Sequence, residues 1–342
     1  MELVTMAMPV GDNKVSAQGK SRPLFVLSVW RSGSSLLYAL LNQHSQISLL
    51  YEGDLPHLRS FLWGSFRNGE WRHRWEFWNH GPSRHGIAVE SLPAHVSDVW
   101  EATRVVYRAV AERKHAPIWG EKTPHWYDCP LQLARKFRDA YFIFLWRDVN
   151  SVMESISRAA ATDRFFRKPG FAERVIVGTE KLKDACESLR AEGCAVHEVN
   201  YEDLISNTTQ AMSDISGFLQ IPFEPSTVSL EGSDRSAVSS GSHHAAVRGN
   251  VIAAGTRSRV LSKKMRQKIA RYVCRWKLQT GGAWPKYPGH LPEGTEPTGA
   301  LEFCQDRAMY HGFVARDRAV KMIYAAVPLS LAHSLRAWVR AA

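Results

Sequence analysis

No uncharged apolar run of roughly 18 residues, the length that crosses a bilayer, occurs anywhere in the chain. The stretch from Met1 to Lys20 also lacks an apolar core of signal-peptide length. Neither a membrane span nor secretion is expected, and the cytoplasm is the expected compartment. Cysteine is sparse: Cys129, Cys186, Cys194, Cys274 and Cys304 form no CxxC pair and no Cys/His ligand spacing, so neither a disulfide framework nor a metal site is expected. Acidic residues are outnumbered, 33 against 44 Lys and Arg, for a formal net charge of +11. That excess suits an anionic ligand, nucleic acid or a membrane surface. The basic residues are scattered and no nucleic-acid reading motif accompanies them, so no nucleic-acid partner is expected.

What is present points to one large α/β unit. Hydrophobic residues make up 44% of the 342, enough to fill a sizeable core. Residues 1–21 are polar and aperiodic and read as a flexible N-terminus. Leu24 to Val29 (LFVLSV) is a run of buried-strand length, and after Trp30 to Ser34 the residues Leu36, Leu37, Leu40 and Leu41 recur at helical spacing. Further strands are predicted at Ile47 to Tyr51, Ile118-Trp119, Ala140 to Trp146 and Ala195 to Val199, with helices over Val96 to Lys114 and Val149 to Ala161. This alternation predicts an α/β fold, a P-loop-like central parallel sheet flanked by helices, spanning 22–284.

Three segments depart from the alternation. Phe61 to Trp78 holds four of the twelve tryptophans, interleaved with Arg and His, and is either a recognition surface or a helical subdomain packing its aromatics. Ser226 to Arg259, rich in Ser, Gly and Ala, predicts a long loop over the sheet. Residues 285–301 read as a linker and 302–342 as a helical tail interrupted at Pro328. Such a tail docks on its own domain, pairs with another chain, or makes peripheral contact with a membrane; docking is the favoured expectation.

The turn Trp30-Arg31-Ser32-Gly33-Ser34-Ser35 joins strand to helix. Backbone N–H groups, the positive helix end and the hydroxyls converge there on one point, which suits a phosphate or sulfate, although such a turn is also an ordinary helix cap. Gly33 supplies the backbone freedom and Arg31 a forked cation. No Lys follows the turn as in GxxxxGK[ST], and the central strand ends in Trp146-Arg147 rather than a magnesium-holding Asp, which disfavours a metal-dependent ATPase. A second element is Arg147 with Ser155 two helical turns on, able to meet one anion; alternatively Asp148 caps Arg147.

In order and spacing these two elements resemble the 5′-phosphosulfate loop and the 3′-phosphate motif of the sulfotransferase superfamily. WRSGSS, with Leu41-Asn42 and Leu50-Tyr51-Glu52, is similar to carbohydrate sulfotransferases, and Glu121-Lys122-Thr123-Pro124 to heparan-type and bacterial members. The resemblance covers about residues 23 to 276. It implies a sulfotransferase-type fold, 3′-phosphoadenosine-5′-phosphosulfate (PAPS) as co-substrate, no metal, and a hydroxyl acceptor: a carbohydrate or glycolipid, or else a lipid alcohol, peptide tyrosine or small metabolite.

Carried over by residue, the resemblance gives Arg31, Ser32, Gly33, Ser34 and Ser35 to the 5′-phosphosulfate and Arg147 and Ser155 to the 3′-phosphate, two separated clusters at opposite ends of the nucleotide. It sets Tyr201 beside the adenine and Arg248, Gly249 and Asn250 on a loop that closes over the 3′-phosphate. Asp148-Val149 departs from the Asp-Pro or Asn-Pro of many members. Glu52 is the first candidate for the base and His125, close after Lys122, the second; Lys122 is the candidate cation on the sulfuryl oxygens. The plainer alternatives are ion pairs of Glu52 with Arg31 or Lys122, and a surface Lys122 paired with Glu121. A kinase-like phosphotransferase with a degenerate phosphate loop and a non-catalytic, membrane-associated nucleotide-binding scaffold are the rival classes.

Overall fold

The computed structural model of the protein describes residues 21–238, 247, 261–280 and 299–341. Five strands form one parallel sheet in the order β2-β3-β1-β4-β5: β1 (Arg22–Leu27), β2 (Ile47–Tyr51), β3 (Ile118–Thr123), β4 (Tyr141–Trp146) and β5 (Ala195–Asn200). The principal helices are α1 (Ser34–Leu41), α2 (Trp71–Asn79), α3 (Val99–Lys114), α4 (Val149–Thr162), α5 (Phe171–Ala191), α6 (Thr208–Leu219), α7 (Lys263–Thr280), α8 (Ala300–Ala326) and α9 (Leu329–Ala341).

Side chains alternate across a strand, and β1 shows the consequence. Phe25 and Leu27 enter a core with Phe142, Phe144 and Tyr107, whereas Leu24 and Val26 enter the opposite core with Leu37, Leu40, Ile143 and Ile215. Both faces of the sheet are covered, which is why its strands read as continuous apolar runs. β3 is the exception. Apolarity marks only Ile118-Trp119, yet the strand runs through Gly120, Glu121, Lys122 and Thr123, because it is paired on both sides and its charged side chains find partners across the sheet end.

The tryptophan-rich segment resolves into helical packing. Trp71 and Trp75 are fully buried, and only Trp63, 82% exposed, projects outward. Trp75 Nε1 donates to the Gly53 carbonyl at 2.7 Å, and Asn79 Nδ2 donates to the carbonyls of Glu52 and Gly53 at 3.2 and 3.1 Å. Helix α2 thus braces the corner that follows β2.

The C-terminal helices break at Pro328. Helix α8 packs on α5, with Lys181 Nζ donating to Tyr310 OH at 2.7 Å, and on α7, where Lys268 and Arg271 each reach Asp306 at 2.9 Å. Among the described residues no helix is long and apolar enough to cross a membrane.

Candidate functional site

All five strands point their C-terminal ends the same way, and the chain switches from one side of β1 to the other between β3 and β4. In such sheets ligands bind beyond the carboxyl ends at that switch. The residues leaving those ends are Arg31 to Ser35 after β1, Glu52 to Asp54 after β2, His125 after β3, Arg147 after β4 and Tyr201 after β5; Lys122 lies in the last turn of β3.

After β1 the backbone turns through positive φ at Arg31 (68°) and Gly33 (95°), and Gly33 is the residue before α1. The first N–H groups of a helix have no partner of their own, so the turn leaves donors aimed past the strand end. Arg31 Nε donates to Ser155 Oγ at 3.0 Å, and Arg147 Nη1 donates to the Arg31 carbonyl at 2.9 Å. The two arginine-and-serine clusters are therefore contiguous rather than apart, because β1 and β4 are neighbours with Leu27 opposite Phe144. Burial, and then the charge of Arg147, bring the Arg31 guanidinium down to about 10. Such crowding of two cations is stabilised by an anion between them.

Asp148 does not cap Arg147. Its Oδ1 accepts from Ser151 N at 2.8 Å and caps α4 instead. The Arg147 guanidinium lies 4.2 Å from the centre of the Tyr201 ring, and its Nε is buried with no hydrogen-bond partner. A buried unpaired guanidinium nitrogen is costly without a ligand. The site thus brings together an unpaired arginine nitrogen, a helix start and an aromatic ring, a set that suits an anion.

Beyond β2 and β3 lies a second cluster. Glu52 (φ 53°) and Asp54 (φ 60°) both hold left-handed backbone, a strained arrangement typical of functional corners. Lys122 is 2% exposed, and its Nζ donates to Glu52 Oε1 at 2.5 Å. The reading of Lys122 as a surface residue paired with Glu121 is overturned: neighbouring residues in a strand face opposite ways, and Glu121 turns to Tyr107, whose hydroxyl donates at 2.6 Å. Burial alone would raise the Glu52 carboxyl, but Lys122 and Arg84 outweigh it and hold it below the usual range. Burial lowers the Lys122 ammonium, against the pull of Glu52.

Tyr51 ties the clusters together. Its hydroxyl is 2.7 Å from Ser35 Oγ, and its ring faces Lys122 Nζ at 4.3 Å and the Arg84 guanidinium at 5.0 Å. His125 sits at the same end: Nδ1 is 2.9 Å from Asp54 Oδ1, and Thr123 Oγ1 also donates to Asp54. Sequence reasoning named Tyr51 only within the Leu50-Tyr51-Glu52 motif, without a role, and missed Asp54, His57 and Arg84. Asp54 carried a signal, a second acid two residues after Glu52; Arg84 and His57 carried none. Ser32 and Ser34 are buried in the turn. Arg248, Gly249 and Asn250 lie outside the described residues.

Residues 23–225 match the Sulfotransferase family. Similar solved structures include the sulfotransferase domain from the curacin biosynthetic pathway, at 21% identity and TM-score 0.50, covering 77% of this chain and 99% of that one. The sulfotransferase domain of the Synechococcus PCC 7002 olefin synthase is 19% identical with TM-score 0.49, covering 74% and 95%. A sulfotransferase from Alicyclobacillus acidocaldarius is 16% identical with TM-score 0.39, covering 76% and 96%. A search of curated proteins found no match. The family match runs from β1 past α6 and takes in more than half of the chain, which sets aside the kinase-like and scaffold readings: the protein belongs to the sulfotransferase family and is a sulfuryl-transferring enzyme.

Proposed function

We propose that the chain uses PAPS as donor and transfers its sulfuryl group to a hydroxyl on a carbohydrate or glycolipid, without a metal ion. The observation that carries this reading is the Glu52–Lys122 pair, an acid and a cation held 2.5 Å apart and joined through Tyr51 to the Arg31–Ser35 turn. PAPS supplies the sulfuryl group and a phosphate leaving group. Arg31, Ser32, Gly33, Ser34 and Ser35 bind its 5′ end, Arg147 and Ser155 its 3′-phosphate, and Tyr201 lies beside the adenine. Arg248, Gly249 and Asn250 are assigned to the closing loop.

In the resting protein Lys122 neutralises Glu52. An anion at the turn competes for Lys122, which frees the carboxylate to accept a proton. Glu52 then takes the acceptor hydroxyl's proton as the acceptor oxygen bonds to sulfur. Lys122 and Arg31 balance the charge gained by the phosphate oxygen when its bond to sulfur breaks, leaving 3′,5′-adenosine diphosphate and the sulfate ester. One observation favours His125 as a second reading of the base. Asp54 accepts from its Nδ1 at 2.9 Å, the arrangement that orients an imidazole with its other nitrogen free.

We read 22–284 as the sulfotransferase domain and 302–342 as a helical tail. Leu301, Met322 and Ile323 are exposed on α8, which supports peripheral contact with a membrane that presents a glycolipid. Incubating the protein with sulfur-labelled PAPS, chelator and fractionated host lipid and carbohydrate tests the reading. Label appearing in an alkali-stable hydroxyl ester supports it, and label that stays in the nucleotide with every fraction contradicts it.

A further inference from the structure

Two imidazoles lie face to face beside the candidate site, and one is gripped by a helix beyond the family match. The rings of His57 and His125 are stacked with centroids 3.9 Å apart and planes 11° apart. Charged groups face the pair from each element around it: Asp54 before the 55–58 turn, Asp128 after β3, Arg174 on α5, and Asp317 and Lys321 on α8. Lys321 is 3% exposed, a costly place for an ammonium. Its Nζ stands 2.7 Å from His57 Nε2 and 2.9 Å from Asp317 Oδ2.

An ammonium donates and never accepts. His57 Nε2 is therefore the acceptor, which leaves that ring's proton on Nδ1, facing Asp128 Oδ2 at 3.5 Å. By the same reasoning the Asp54 carboxylate places the His125 proton on Nδ1 and leaves Nε2 bare. Two imidazolium rings in stacked contact repel, so the pair takes up one further proton rather than two. Lys321 occupies the nitrogen of His57 that could receive it.

We propose that Lys321 and His57 are positioning residues: Lys321, by holding His57 Nε2, directs the proton that enters the stacked pair to His125 Nε2 alone. This rests on the reading of His125 as a proton-carrying group of the site. On that second reading of the base, the proton leaves the acceptor hydroxyl for His125 Nε2 in place of Glu52 as the acceptor oxygen bonds to sulfur and the sulfur–phosphate oxygen bond breaks; it passes to water after product release, and His57 stays neutral throughout. Burial, His125, Lys321 and Arg174 all disfavour a charged His57, against a smaller opposing pull from Asp54. The family match ends at residue 225, so this contact is supplied by a part of the chain that the match does not cover.

Ring-nitrogen NMR on the full chain with labelled histidines, between about pH 5 and 9, tests the assignment. In the unmodified protein His57 keeps one proton, on Nδ1, across the range, and any proton the pair gains is found on His125 Nε2. In Lys321→Met, His57 titrates within the range and kcat falls about tenfold, while KM for PAPS stays within about twofold. Lys321→Arg, which again offers donors to Nε2, restores the single-ring titration. A His57 that titrates in the unmodified protein overturns the proposal without need of a variant, as does a Lys321→Met protein with both titrations unchanged. If those titrations are as expected and His125→Ala turns over undiminished, the role of His125 in the reaction is overturned and the assignment of the proton's site is not.

Discussion

Gly33 lies so close under the ring of Tyr201 that a Cβ on it would stand 2.2 Å from the tyrosine Cδ2. Position 33 also has φ 95°, which costs an ordinary L-residue about 1–2 kcal/mol. Two strand ends, β1 and β5, are thus locked together where the nucleotide is proposed to lie. Gly33→Ala is expected to push the Tyr201 ring aside and weaken binding of 3′,5′-adenosine diphosphate at least tenfold, read by calorimetry, with thermal unfolding followed alongside. Unchanged affinity in a folded variant contradicts a role for this contact in the binding site.

The base assignment separates two variants. Glu52→Gln keeps an acceptor for Lys122 but no site for a proton, so kcat is expected to fall about 10²–10⁴-fold with PAPS affinity little changed. His125→Ala is expected to cost less. Near-normal turnover of Glu52→Gln, together with loss in His125→Ala, reverses the ranking.

Arg147 should act on binding. Its guanidinium spans the Arg31 carbonyl and the Tyr201 ring and keeps Nε unpaired. Hydrogen bonds to a charged group contribute about 1.5–3 kcal/mol, so Arg147→Ala is expected to weaken 3′,5′-adenosine diphosphate by about 10- to 100-fold. Calorimetry that finds unaltered affinity refutes the role.

Glu121 gives the stability of the fold a pH dependence of its own. Burial, and then the charge of Asp54, push its carboxyl up to about 8. A group whose folded pKa is raised stabilises fully below its unfolded value, about 4.5, and loses that contribution as pH rises through about 8. The difference in unfolding midpoint between unmodified protein and Glu121→Gln should therefore shift against the unmodified protein from pH 5 to pH 9. A difference that is flat across that window contradicts a protonated Glu121 in the folded state.

The sheet was legible because its strands are buried on both faces: LFVLSV and AYFIFLW announce themselves without alternation. β3 was half legible, since Gly120, Glu121 and Lys122 have no strand signal until their long-range partners Tyr107 and Glu52 are in place. The turn after β1 and the Arg147–Ser155 element were found from residue type and order, but their contiguity follows from strand order, which no local pattern states. Asp54 and His57 sit at a short turn whose meaning comes from residues 123–128 and from α8. Lys321 looks like any basic residue on an amphipathic helix, and only the packed tail shows its ammonium against an imidazole. The tryptophans of 61–78 fit a surface or a core equally well by composition, which does not tell that the Trp75 indole faces Gly53.

The proposed site recognises a nucleotide by its 3′-phosphate through Arg147 and Ser155, with no metal. Calorimetric titration in the presence of chelator, comparing 3′,5′-adenosine diphosphate with 5′-adenosine monophosphate, tests this most directly. The expected result is binding of the 3′-phosphorylated nucleotide at least about tenfold tighter, the worth of one or two charge-assisted hydrogen bonds. Equal affinities, or binding that requires a divalent cation, would contradict it.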